Sequence, residues 1–330
     1  MFGQTEYLVF DEIQNIEGWE LFINRIRPGH KIIVTGSNAN LMSSEMATHL
    51  TGRFDEWTLF PMSFQEFVRY RGLAPSAQKG VFTTLEKSAY VNAFEEYMMC
   101  GGVFERYLFG AAHLRTLFRS IIQRDILGRY DVEYPGLLEE LAVYLLNSSG
   151  NKISMNKMAA RTGLKSLQTA RVYARYMETT FLLFTVSKFS WRLKEQQAAM
   201  KKAYCSDNGM LSAMLFDISP DKGRFLENLV AIELKRRQAR GSGDLFYWDD
   251  GSRECDFLIK EGRTITTAIQ VCHILTDENR NRELSGLSTA MERFDAGSGL
   301  ILTADQSEDL LCGHRQVRVV PVWRWMLESN

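Results

Sequence analysis

The sequence predicts an α/β protein of more than one domain, and three features predict it. Two short apolar runs near the start, Tyr7-Leu8-Val9-Phe10 and Lys31-Ile32-Ile33-Val34, end in acidic or small polar residues, the pattern of buried parallel strands. From Ser63 to about Asn147, apolar residues recur at helical spacing with acids and bases between them, as in an array of amphipathic helices. The last third sets a long helix, Gly223 to Arg237, before β-rich runs and tight turns, with later strands expected over Gly299 to Thr303 and Val317 to Trp323. A chain of 330 residues is long enough to bury two or three separate cores.

Composition narrows the function classes. The 39 basic and 40 acidic residues nearly cancel, so no global field draws the chain to nucleic acid or membrane, and any DNA contact must come from a local patch. The five cysteines, Cys100, Cys205, Cys255, Cys272 and Cys312, are odd in number and far apart, with no CxxC spacing. That usage suits a reducing compartment. No run approaches the ~18 apolar residues of a membrane helix, and the first residues lack a basic and then apolar leader pattern. The expectation is a cytoplasmic protein without a membrane partner.

The first strand runs into Asp11-Glu12, which places two carboxylates at the end of a parallel strand, where α/β folds hold ligands. In the Walker B arrangement of ATPases the first acid holds Mg²⁺, often through water, and the second orients or deprotonates the attacking water. Asp11 and Glu12 fit those roles, with Asp11 the metal ligand. The second strand ends in Thr35-Gly36-Ser37-Asn38, so Ser37 or Asn38 is the candidate that touches a γ-phosphate or the attacking water.

The longer context, FDEIQNIEGWE, then IIVTGSNANLMSSEMATHLTGRF, then LFPMSFQEFV, resembles the Walker B to arginine-finger region of the archaeal-type AAA ATPases, a P-loop NTPase family. That resemblance implies ATP and Mg²⁺ as cofactors. It also implies that Arg53 lies near the γ-phosphate, where a guanidinium fork suits phosphate oxygens; the alternative is a surface arginine beside a strand. One departure is large: no GxxxxGK[ST] occurs anywhere in the chain, although such a loop supplies the N–H groups and lysine that cradle the phosphates. A truncated or split gene, or a decayed copy, is the expectation drawn from this. AAA proteins often complete one subunit's site with another's arginine, which leaves a homo-oligomer or a protein partner open.

The helical stretch that follows looks like the helical lid of AAA proteins. IIQRDILGRYDVEY resembles a family signature, so either Arg124 or Arg129 reaches nucleotide or a domain interface, or they pair locally with Asp125 or Asp131. Next, Ser154 to Arg161, the turn Thr162-Gly163-Leu164 and a helix from Ser166 to about Glu178 spell a helix-turn-helix with serine N-caps. Leu167, Ala170, Ala174 and Met177 share one helical face, and Lys165, Gln168, Arg171 and Arg175 share the other. A basic outer face suits DNA phosphates and base edges, and equally a solvated face of a winged helix that binds protein. The run Thr180 to Phe189 and the strand Lys202-Ala203-Tyr204-Cys205 read as the wing.

In the last third, the helix carrying Glu227, a hairpin and a further strand form the core expected of PD-(D/E)XK nucleases, and ECDFLIKEG with AIQVC resembles the C-terminal domain carried by this ATPase family. Such a site wants a helix glutamate, a strand aspartate and an acid-x-lysine to hold Mg²⁺ and steady the charge on phosphorus. Glu227 and Asp256 match the first two, with Asp256 a metal ligand. Gln270 and Cys272 stand in the acid and lysine positions on one strand face, and neither supplies the required charge.

The expected architecture is thus a partial AAA core over 1–62, a helical lid over 63–134, a winged helix over 135–205 and an α/β PD-(D/E)XK nuclease-like domain over 206–330. The expected function is that of an ATP-binding AAA-family protein with a DNA-associated winged helix and a degenerate nuclease-like domain. The alternatives are a non-enzymatic DNA-binding or protein-interaction adaptor and a Mg²⁺-dependent endonuclease.

Overall fold

The computed structural model describes residues 6–37, 54–73, 82–164, 166–215 and 221–328, apart from the Gln14 side chain. Its first unit is β-α-β. Strand β1 (Tyr7–Phe10) leads through a 3-10 turn (Ile13–Asn15) to helix α1 (Trp19–Ile26) and then to β2 (Lys31–Val34), parallel to β1 with Phe10 opposite Val34. Side-chain alternation sets the faces: Phe10, Ile32 and Val34 pack on Ile13, Trp19 and Ile23, while Tyr7, Val9 and Ile33 are exposed.

Helices α2 (Phe64–Tyr70), α3 (Thr84–Cys100), α4 (Glu105–Phe109) and α5 (Ala111–Ser120) follow, then a π-helical turn (Ile121–Leu127) and α6 (Pro135–Asn147). Local chemistry sets their starts. Ser63 and Thr83 form capping boxes with Glu66 and Glu86, satisfying N–H groups that a first turn leaves unpaired. Pro135 opens α6, where its missing N–H costs nothing. The buried faces meet in an aromatic cluster, with the Phe64 ring 5.5 Å from both Phe94 and Tyr97.

The next unit holds β3 (Lys152–Ile153), α7 (Met155–Thr162), α8 (Leu167–Thr179), β4 (Leu183–Lys188), α9 (Leu193–Ala198) and β5 (Lys201–Cys205). The Ser154 and Ser166 hydroxyls accept N–H bonds from Lys157 and Thr169. Gly163, at φ 72°, makes the left-handed turn between α7 and α8 that a side chain would disfavour.

Helices α10 (Asn208–Met214) and α11 (Lys222–Ala239) precede β6 (Asp244–Asp249), β7 (Glu254–Glu261), β8 (Thr264–Val271), α12 (Asp277–Phe294), β9 (Ser298–Thr303), β10 (Glu308–Cys312), β11 (Arg315–Pro321) and α13 (Val322–Leu327). Nine strands make one mixed sheet in the order β10-β11-β9-β8-β7-β6-β4-β5-β3. The two-residue parallel ladder of Ser187 and Lys188 against Phe246 and Tyr247 joins the β4–β5 hairpin to the rest. Apolar residues of α11 share a core with Phe257 and Ile269; Leu287 and Met291 of α12 pack with Leu258 and Ala268.

One element differs from the sequence expectation. A strand predicted from Val317 through Trp323 stops at Pro321, and Val322–Leu327 is helical. The helix lets Trp323, Met326 and Leu327 bury together, and Trp323 stacks on Tyr90 with centroids 5.9 Å apart. No helix among the described residues is long and apolar enough to cross a membrane.

Candidate functional site

The carboxyl ends of β1 and β2 bring together the first set of candidate residues. Asp11 accepts a short hydrogen bond from the Thr35 hydroxyl, and the same hydroxyl oxygen accepts the Glu12 N–H at 3.2 Å. Glu12 adopts a left-handed backbone, φ 50°, which costs a non-glycine residue about 1–2 kcal/mol. Its carboxylate accepts from the Ser37 hydroxyl at 3.1 Å. From the far side, Arg129, just beyond the π-helical turn, reaches over both strands: its Nη2 donates to Ser37 Oγ at 3.1 Å and lies 3.5 Å from both Glu12 and Asp125. Nη1 of Arg129 is buried with no hydrogen-bond partner among the described residues. Burial raises the Asp125 carboxyl pKa, and Arg129 and Arg124 offset this only in part. Asp11, Glu12 and Ser37 therefore stand together, while Arg53 and Asn38 lie outside the described residues.

The second set surrounds Lys202. This side chain, 2% exposed, sends its ammonium from β5 to Glu227 on α11 at 3.1 Å, to Asp256 at 3.1 Å and to Glu254 at 2.6 Å, the last two on β7. Tyr204, two residues along β5, donates its hydroxyl to Glu227 at 2.8 Å. The Val271 N–H donates to the other Asp256 oxygen at 2.9 Å, and Lys152 bridges Glu254 and Asp249 at 2.8 and 3.1 Å. Burial pushes the Lys202 ammonium toward its neutral form, but Tyr204, Asp256, Glu227 and Glu254 outweigh it and hold the pKa well above the ordinary value. Burial, reinforced by Asp256, raises the Glu227 carboxyl to about 7. Among the described residues no group of three histidine, cysteine or acidic side chains is arranged to hold a metal ion.

Glu227 and Asp256 thus meet, but through a lysine that the sequence places only in the wing strand. Gln270 and Cys272 make their contacts toward α12 and the loop before it. Gln270 donates to Glu283 at 2.9 Å while its Oε1 is buried without a hydrogen-bond partner among the described residues, and Cys272 lies against Ile274 and Asn279. Lys202, Glu254 and Tyr204 are functional candidates that sequence reasoning missed. The usable signal was alternation: Lys202 and Tyr204 share a strand face, so a lysine next to a buried tyrosine needs a carboxylate partner.

On α8, Gln168, Arg171 and Arg175 are exposed while Ala170, Ala174 and Met177 are buried; Lys165 lies outside the described residues. Arg171 and Arg175 border a groove of about 630 Å³ shared with Asn156 and Lys201.

Comparison with known proteins gives a family. A model described as an AAA domain matches residues 1–68, and one described as a domain of unknown function (DUF8612) matches residues 91–222. An uncharacterized protein of Methanocaldococcus jannaschii is 30% identical over 98% of this chain and 75% of its own length. An uncharacterized protein of Haemophilus influenzae is 29% identical over 78% of this chain and 64% of its own length. No solved structure matches significantly. With the β-α-β unit and its strand-end acids inside the AAA match, and three quarters of the archaeal relative covered, this chain belongs to the same AAA-domain protein family as that relative.

Proposed function

We propose that this protein is a nucleotide-responsive member of its AAA family, in which the ends of β1 and β2, capped by Arg129, form the metal and γ-phosphate side of an ATP site. The observation that supports this most is the placement of Arg129. An arginine from the helical region donates to Ser37 and approaches Glu12, and its second terminal nitrogen is buried and unpartnered among the described residues. A buried donor without an acceptor is costly, and a phosphate oxygen would satisfy it with a charge-assisted bond.

The donor set fits that half of a nucleotide site. Asp11, oriented by Thr35, would hold Mg²⁺; Glu12, oriented by Ser37, is the acid that would orient or deprotonate water. Bound Mg-ATP would supply the phosphoanhydride and the metal's charge. The cradle for the inner phosphates is not among these residues, since the chain contains no GxxxxGK[ST]. Titration with a fluorescent ATP analogue tests the assignment: Mg²⁺ is expected to strengthen binding to the wild-type chain and to have no effect on Asp11→Asn. Equal Mg²⁺ dependence in both would remove Asp11 from the site.

A second reading, an adaptor whose working surface binds DNA, is favoured by the exposed Gln168, Arg171 and Arg175 beside Lys201. It requires no nucleotide turnover and is compatible with the first.

A further inference from the structure

The Lys202 ammonium has three N–H donors and meets three carboxylates, at 2.6 Å from Glu254 and 3.1 Å from Glu227 and Asp256. We propose that Lys202 is the resident cation of this cleft, seated where three converging carboxylates would otherwise take up a divalent metal ion. The intact chain then binds no such ion there, and the chain without this lysine does.

Three anionic oxygen ligands are the donor set that hard divalent ions prefer. Their spacing here suits an ammonium. Metal–oxygen bonds to Mg²⁺ run to about 2.0–2.1 Å, shorter than any of these contacts. The neighbouring oxygens are occupied as well: Lys152 takes the other oxygen of Glu254, the Val271 N–H takes the other oxygen of Asp256, and Tyr204 shares the Glu227 oxygen that Lys202 contacts. The lysine stem is almost wholly buried, so the ammonium is tethered and a metal ion must displace a covalently held competitor.

The same contacts give the cation a structural task. Lys202 belongs to the β4–β5 hairpin, Glu227 to α11 and Glu254 and Asp256 to β7, so one ammonium ties three elements at the seam where the hairpin joins the larger sheet. Around it, Lys152, Lys188 and Lys202 face Asp249, Glu254, Asp256 and Glu227.

Thermal unfolding of the full chain with chelator and with Mn²⁺ tests this, in an Asp11→Asn background that removes the metal ligand proposed at the end of β1. With Lys202 present, Mn²⁺ is expected to leave Tm unchanged. In Lys202→Met, Mn²⁺ at a hundredfold excess over its Kd is expected to raise Tm by about 5 °C, and adding Glu254→Gln should abolish the rise. A rise of that size in the Lys202 chain that Glu254→Gln removes, or a folded Lys202→Met chain that does not respond, overturns the proposal. Should Lys202→Met not fold in chelator, Mn²⁺ is titrated into that chain and its helical circular dichroism followed, since a ligand that binds only the folded state draws the chain into it. Recovery of the folded signal that Glu254→Gln abolishes supports the proposal, and no recovery overturns it.

Discussion

At the scale of single residues, what decides each role is the partner rather than the residue type. Glu227 shows this through pH. Its ordinary carboxyl value of 4.5 is raised to about 7 by burial and then by Asp256, so between those values the folded chain holds a proton that the unfolded chain has released. The sign follows: the raised value favours folding at low pH, and that contribution is lost as pH rises through about 7. In Glu227→Gln, which keeps an oxygen for Lys202 and Tyr204, the fall in stability between about pH 5 and 8 is expected to be smaller than in the wild type. Urea unfolding across that range checks it, and superimposable profiles would contradict it. The meeting of Asp11, Glu12 and Ser37 at the strand ends was legible in the sequence because each follows an apolar strand run, a purely local signal. Lys202 was not, because its partners Glu227, Glu254 and Asp256 are distant in sequence and a lysine in a short strand ordinarily reads as solvent-facing.

At the scale of elements, helix starts were readable where a cap is local, as at Ser154 and Ser166, and the helical start at Val322 was hidden because the β-rich run before it continues in pattern to Trp323. Helix α8 carries a prediction of its own. If its exposed face meets DNA phosphates, Arg171→Ala with Arg175→Ala should weaken binding to all duplexes alike and lower the slope of log affinity against log salt by about 2. Fluorescence anisotropy at several salt concentrations measures this, and an unchanged slope would place DNA elsewhere or nowhere on the chain. Helix α12 carries another. It crosses β7 so closely at Gly286 that a Cβ there would collide with the Glu254 carbonyl. Gly286→Ala is therefore expected to cost about 1–3 kcal/mol, as overpacking does, and to shift the Glu254 end of the Lys202 cluster. Urea unfolding gives the first number, and a cost below a few tenths of a kcal/mol would show that the helix can slide.

At the scale of the whole molecule, buried side chains from the helical region, the helix-turn-helix, α11 and α13 belong to one continuous core, and the nine-stranded sheet runs through the seam at β4 and β6. The α/β class was legible from strand runs and helical periodicity. The continuity was not, since helical spacing, the helix-turn-helix pattern and the nuclease-like run suggest separate segments meeting near 134 and 205, while the pairing of Ser187 and Lys188 with Phe246 and Tyr247 depends on packing between segments far apart in the chain. Arg129 is a further long-range case: the helical region carries it to Glu12 and Ser37 across more than ninety residues, which is how that region could respond to nucleotide at the strand ends. The most direct test of that assignment is the ratio of ADP to ATP dissociation constants in Mg²⁺, measured for the wild-type chain and for Arg129→Ala. A γ-phosphate held by the buried Nη1 of the half-buried Arg129 side chain predicts that the wild type favours ATP by about tenfold or more and that Arg129→Ala loses this preference. Equal ratios in the two proteins would contradict the account.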